Sequence, residues 1–173
     1  HGDLVKLLIQ NGADVNAAIK GGRTAHHYAA YDGRVEAAKA LIQNGVDVNA
    51  IEEWDVDNKS TPLYIAAYEG HSHFAEVLIQ AGAEMNIGNN FNIFPLHAAA
   101  YSSYFHVVRV LIQKGADVNA VCKANWTALH AAGWGGCEKI AKLLLQNGAD
   151  VNAITSENLS PLSMAAHNGM VAY

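Results

Sequence analysis

Cysteine is nearly missing from this chain: 173 residues hold only Cys122 and Cys137. Two thiols cannot build a disulfide framework, and without close Cys or His companions they do not make a structural zinc site. A reducing, intracellular setting is therefore expected, cytoplasmic or nuclear; a bacterial effector delivered into a host cell fits the same features. Long apolar runs are also lacking. Nothing approaches the roughly 18 residues of a membrane-crossing helix, and the opening HGDLVKLLIQNG reads as a helix and not as a secretory leader. Nor is there an excess of positive charge: 11 Lys and Arg face 16 Asp and Glu, both scattered, for a net charge of −5. With no basic stripe to neutralise phosphates, nucleic acid is excluded as the expected partner. No membrane partner is expected either. What the chain does have is a hydrophobic content of 51%, enough for a packed core.

Self-similarity organises the rest. NGADVNA at 11–17 recurs as NGVDVNA at 44–50, AGAEMNI at 81–87, KGADVNA at 114–120 and NGADVNA at 147–153, at offsets of 33, 37, 33 and 33. A second series keeps the same register: TAHHYAA at 24, TPLYIAA at 61, FPLHAAA at 94, TALHAAG at 127 and SPLSMAA at 160. A fixed period of this length is the signature of a repeat architecture. The single long step carries four extra residues within IEEWDVDNKS.

Each unit predicts two helices. Thr24, Thr61, Thr127 and Ser160 supply hydroxyl N-caps, and the three prolines, Pro62, Pro95 and Pro161, occupy first helical positions, where a missing N–H costs nothing. Alanine pairs such as Ala66 and Ala67 keep one helical face thin, so that neighbours can stack closely. Gly33, Gly70, Gly136 and Gly169 permit the turn into a second helix, whose apolar residues recur with helical spacing, as in Val107, Val108, Leu111 and Ile112. Gly45, Gly82, Gly115 and Gly148 stand where a left-handed C-cap ends it.

Two motifs recurring five times in one register resemble the ankyrin-repeat family, with its T-P-L-H-x-A-A and G-A-D-V-N signatures, over essentially the whole chain. The resemblance implies an all-α solenoid of stacked helix–turn–helix units joined by β-hairpin-like loops. On this reading residues 1–173 form one domain, with a partial repeat at 1–16, repeats at about 17–49, 50–86, 87–119 and 120–152, and a partial repeat at 153–173. Stacked units bury their faces against neighbours, and terminal units normally carry polar caps. The incomplete end units make the chain read as part of a longer array, expected to be monomeric and able to stack end to end.

Nothing in the sequence points to catalysis, a cofactor or a metal. His27, His97 and His130 fall on the fourth position of the T-P-L-H motif, which in the family is a structural bridge between loops; Tyr64 and Ser163 replace it elsewhere. His71 and His73 lie two apart on a helix and do not converge as ligands four apart would. GWGG at 133–136 lacks the lysine of a phosphate loop. Asn16, Asn49, Asn86, Asn119 and Asn152 read as turn residues bonding loop backbone. They also resemble the hydroxylated asparagines of ankyrin domains, each with a leucine eight residues before it.

The residue after each alanine pair forms a ring series of Tyr31, Tyr68, Tyr101, Trp134 and His167, which the family geometry turns toward the concave groove. The residue before each motif hydroxyl gives a second series in which Ile93 and Trp126 stand, with Phe91 nearby. Contiguous apolar patches mark interaction sites, and Tyr and Trp dominate interface hot spots. Tyr31, Tyr68, Tyr101, Trp134, Trp126, Ile93 and Phe91 are therefore the candidate contacts of a non-catalytic protein-binding module. Trp54 joins them in the lengthened loop, where Glu52, Glu53, Asp55 and Asp57 predict an acidic finger for a basic partner. The other readings are that the rings seal the stack and that the chain is a spacer within a larger ankyrin scaffold.

Overall fold

The structure is a computed structural model, and it describes residues 2–55 and 58–168, without the side chains of Trp54, Asp55, Asn58 and Asn168. Gly169 lies outside the described residues.

The N-caps open the inner helices as their sequence requires. Thr24 precedes α2 (Ala25–Tyr31), Thr61 precedes α4 (Pro62–Tyr68) and Thr127 precedes α8 (Ala128–Trp134), and each hydroxyl accepts a backbone N–H of the first turn. Phe94 stands before α6 (Pro95–Tyr101), and α10 (Pro161–Asn168) follows Ser160. These five helices pack side by side in chain order. Behind them lie the outer helices α1 (Gly2–Gln10), α3 (Val35–Gln43), α5 (Ser72–Gln80), α7 (Phe105–Gln113) and α9 (Glu138–Gln146), each packed on the next. The core runs unbroken between the layers, through Leu63, Phe74, Leu78, Leu96, Val107, Val108, Leu111, Leu129, Ile140 and Leu144. The alanines Ala66, Ala67, Ala99, Ala100, Ala131 and Ala132 are buried where inner helices touch.

The motif histidines tie units together. The backbone N–H of Thr24 donates to His27 Nδ1 at 3.2 Å and that of Thr127 to His130 Nδ1 at 3.1 Å. With Nδ1 accepting, Nε2 carries the proton. It donates from His27 to the Ala50 carbonyl at 3.1 Å, from His97 to Ala120 at 3.0 Å, and from His130 to Leu159 at 3.1 Å. Burial lowers the pKa of all three, so the bridging rings are neutral. Their expected structural role is what the geometry shows. Beside His27 sits a different histidine: His26 occupies the place of Leu63, Leu96 and Leu129, is fully buried, and has no hydrogen-bond partner at either ring nitrogen among the described residues.

A second row of bonds follows the outer helices. Asn16 accepts from Asp47 N–H at 2.8 Å and donates to the Gly45 carbonyl at 3.2 Å; Asn119 does the same with Asp150 at 2.8 Å and Gly148 at 2.9 Å. Asn49 accepts from Glu84 N–H at 2.9 Å. These asparagines thus bond backbone one repeat further on.

The lengthened loop forms the antiparallel pair β1 (Glu52–Asp55) and β2 (Asn58–Ser60). It lies against the preceding finger, with Glu53 N–H donating to the Gly21 carbonyl at 2.6 Å. A Cβ at Gly22 would stand 2.6 Å from the Ile51 carbonyl oxygen, so this approach, at a φ of +77°, requires glycine. Later fingers are joined likewise, Lys123 N–H to Phe91 at 2.9 Å and Ser156 N–H to Ala124 at 3.0 Å.

Candidate functional site

Inner helices and fingers together line one face of the stack, and the predicted rings gather there in three adjoining compartments. The central one, a pocket of about 400 Å³, is walled by Tyr68, Phe91, Ile93, Tyr101 and Trp126, together with Tyr64, Cys122 and the stem of Lys123. Tyr68, Phe91 and Tyr101 are each about half exposed, at 49%, 50% and 52%. Helix periodicity places Tyr68 and Tyr101 at equivalent points of α4 and α6, while the finger turn at Asn92, in the left-handed region with φ 54°, brings Phe91 and Ile93 over them. The Phe91 ring carries Lys123 Nζ at 5.6 Å from its centroid, a cation–π contact.

The C-terminal compartment, of about 690 Å³, includes Tyr101, Trp126, Trp134, Leu159, Met164 and His167. Here the rings lean on one another. Trp126 and Trp134 lie 6.4 Å apart at 56°, and Trp134 stacks on His167 at 6.0 Å. Both tryptophans are half-buried, and the Trp134–His167 stack joins this repeat to the next.

Tyr31 is set apart from the central pocket. Its hydroxyl donates to Glu52 Oε1 at 3.1 Å and accepts from Arg23 Nη2 at 3.4 Å, and the Arg23 guanidinium lies 5.0 Å from its ring centroid and 5.3 Å from that of Tyr28. Arg23 Nε pairs directly with Glu52 Oε2. Burial, then the Glu52 charge, raises the Tyr31 phenol above its ordinary pKa. Burial alone would lower Arg23, but its hydrogen bond and ion pair to Glu52 outweigh this and raise it.

This cluster corrects the reading of the finger. Glu52 is 1% exposed and neutralised by Arg23, so it adds no charge to an acidic surface. Glu53 is exposed but paired with Lys59 at 3.0 Å. The side chains of Trp54 and Asp55, and Asp57 altogether, on which that reading also relied, lie outside the described residues. Pairing across 29 positions leaves no local signal, and a carboxylate in a polar loop ordinarily reads as exposed.

Tyr64 also went unsingled as a wall of the groove, although its departure from the motif histidine was the available signal. Where that histidine would bond a carbonyl, the Tyr64 hydroxyl accepts from Asn89 Nδ2 at 3.4 Å. Among the described residues no group of three or more His, Cys, Asp or Glu could hold a metal ion, and no helix is long and apolar enough to cross a membrane.

Two layers of helices, each packed mainly on its neighbours, with fingers over one face, define an α-solenoid repeat protein. The family model described as ankyrin repeats (3 copies) matches residues 1–89 and 63–155, and the chain belongs to the ankyrin-repeat family. Comparison with curated proteins gave no match. Ankyrin repeats generally act as protein–protein interaction modules.

Proposed function

We propose that this chain is a non-catalytic module that holds a protein partner along its groove, with Tyr68, Tyr101, Phe91, Ile93 and Trp126 as central contacts, Tyr31 and Trp134 flanking, and Trp54 on the hairpin. The observation that carries the reading is the half exposure of Tyr68, Phe91 and Tyr101 around one apolar pocket. Aromatic anchors in such a pocket lose about 2 kcal/mol or more of binding when truncated. The partner acts inside a cell, in keeping with two free thiols.

The competing reading is a spacer in a larger scaffold, and the packing of Trp126, Trp134 and His167 favours it. The double variant Tyr68→Ala/Tyr101→Ala separates the two. Used as bait beside wild type, it loses the captured partner while its urea midpoint stays close to wild type. An unchanged captured set, or unfolding at much lower urea, refutes the binding role of these rings.

By the family resemblance, Asn16, Asn49, Asn86, Asn119 and Asn152 are proposed as hydroxylation targets. An unchanged intact mass after exposure to an asparaginyl hydroxylase counts against that.

A further inference from the structure

The N-terminal compartment of the groove differs in chemistry from the apolar pocket beside it. It measures about 310 Å³ and is lined by Tyr31, Tyr64, Tyr68, Ile65, Ser60 and Glu69. The Tyr64 and Tyr68 rings stack 6.4 Å apart at 11°, and Tyr31 is 37% exposed. Glu69 caps α4, and its charge is among those felt at the Tyr31 phenol. Neighbouring charges are matched: Arg23 by Glu52, and Asp32 by Arg34 at 3.3 Å. The walls therefore combine the rings of Tyr64 and Tyr68, and that of Tyr31, which carries Arg23 on one face, with one carboxylate.

A cation over such faces is drawn by the ring quadrupoles, and a carboxylate at the edge adds charge complementarity. Resting on the groove reading above, we propose that this compartment receives the basic side chain, Lys or Arg, of an extended peptide whose large apolar residue fills the central pocket. Tyr68 lines both compartments and so separates the two anchors. The helices α4 and α6 pack side by side, which sets successive inner positions about 8–10 Å apart. Extended chain rises about 3.3 Å per residue, so the basic and apolar residues stand about three positions apart.

The probe is a soluble random decapeptide library panned on wild type, Glu69→Gln, Glu69→Lys and Tyr101→Ala, with the fold of each variant checked by circular dichroism and urea midpoint. Wild type is expected to enrich peptides with Lys or Arg about three positions from a large apolar residue. Glu69→Gln weakens the best such peptide roughly tenfold and flattens its salt dependence. Glu69→Lys moves the preference at that position to Asp or Glu while the apolar preference persists. Apolar enrichment without a basic partner position, or a basic preference unchanged by Glu69→Lys, overturns the cation site and leaves the groove reading standing. No enrichment, or enrichment indifferent to Tyr101→Ala, overturns the groove reading itself.

Discussion

Replacing His26 by leucine restores the residue type that Leu63, Leu96 and Leu129 supply at the same point of other repeats, and it should change how the stack responds to acid. The His26 ring is fully buried, lies 6.0 Å from the Phe74 ring, and has neither nitrogen bonded among the described residues. Its pKa falls from 6.5 to about 4, first through burial and then through the neighbouring His27, with the nearby Asp47 backbone and then its charge offsetting only part. Folded chain therefore keeps the ring neutral, whereas unfolded chain protonates it as pH drops below the ordinary value. The sign follows: stability is intact above about pH 6.5, declines as pH falls, and stops declining below the folded value near 4. At about 1.4 kcal/mol per unit, the loss is about 3 kcal/mol. His26→Leu should remove this loss and, by deleting an unbonded polar group, add about 1–3 kcal/mol near neutral pH. Urea unfolding followed by circular dichroism at about pH 7.5 and about pH 4.5 reads both effects. The other buried histidines act in both proteins, so the difference between the two profiles isolates His26. Equal pH dependence, or a variant weaker at neutral pH, would refute the placement of this ring in the core.

Other perturbations have equally definite outcomes. Arg23→Ala leaves Glu52 buried and unpaired and should cost about 3–5 kcal/mol in urea unfolding, while Arg23→Leu/Glu52→Leu should recover most of it; equal stability of the two variants would show that the pair is not buried as a unit. Trp134→Ala should lower stability by about 1–3 kcal/mol, because its ring packs on both Trp126 and His167 and the second contact ties two repeats together; an unshifted midpoint would mean that it serves only as surface. Gly22→Ala should loosen the hairpin by more than about 1 kcal/mol, read as faster amide exchange at Glu53; unchanged protection would contradict the close approach to Ile51.

The stack was legible because its cues are local and repeated: a hydroxyl at each cap, proline at a first turn, alanine pairs, and glycine after each outer helix. In α6 the cue was weaker, since Phe94 stands at the cap without a hydroxyl, yet its N–H still reaches His97 Nδ1 at 3.3 Å. The groove was legible as a list of rings, and four of them, Tyr68, Phe91, Tyr101 and Trp126, meet in one pocket. Which rings pack on each other was not, because that depends on separations set by helix packing. The burial of Glu52 was hidden for a similar reason, its partner lying on another finger. His26 was masked by adjacency: beside a motif histidine it reads as part of a pair, and only its register against Leu63 and Leu96 shows it to be the odd core residue.

The inter-repeat bonds of the asparagine loops and of the fingers bear on recognition. They hold the spacing of the groove walls before any partner arrives, so the entropy lost on binding falls mainly on the incoming segment. A segment already stiffened toward an extended shape should therefore gain more than one whose residues are simply made larger. Sliding such a segment by one repeat would push its charge against Phe91 and Ile93, so the rigid walls act as a ruler that rejects misregistered partners.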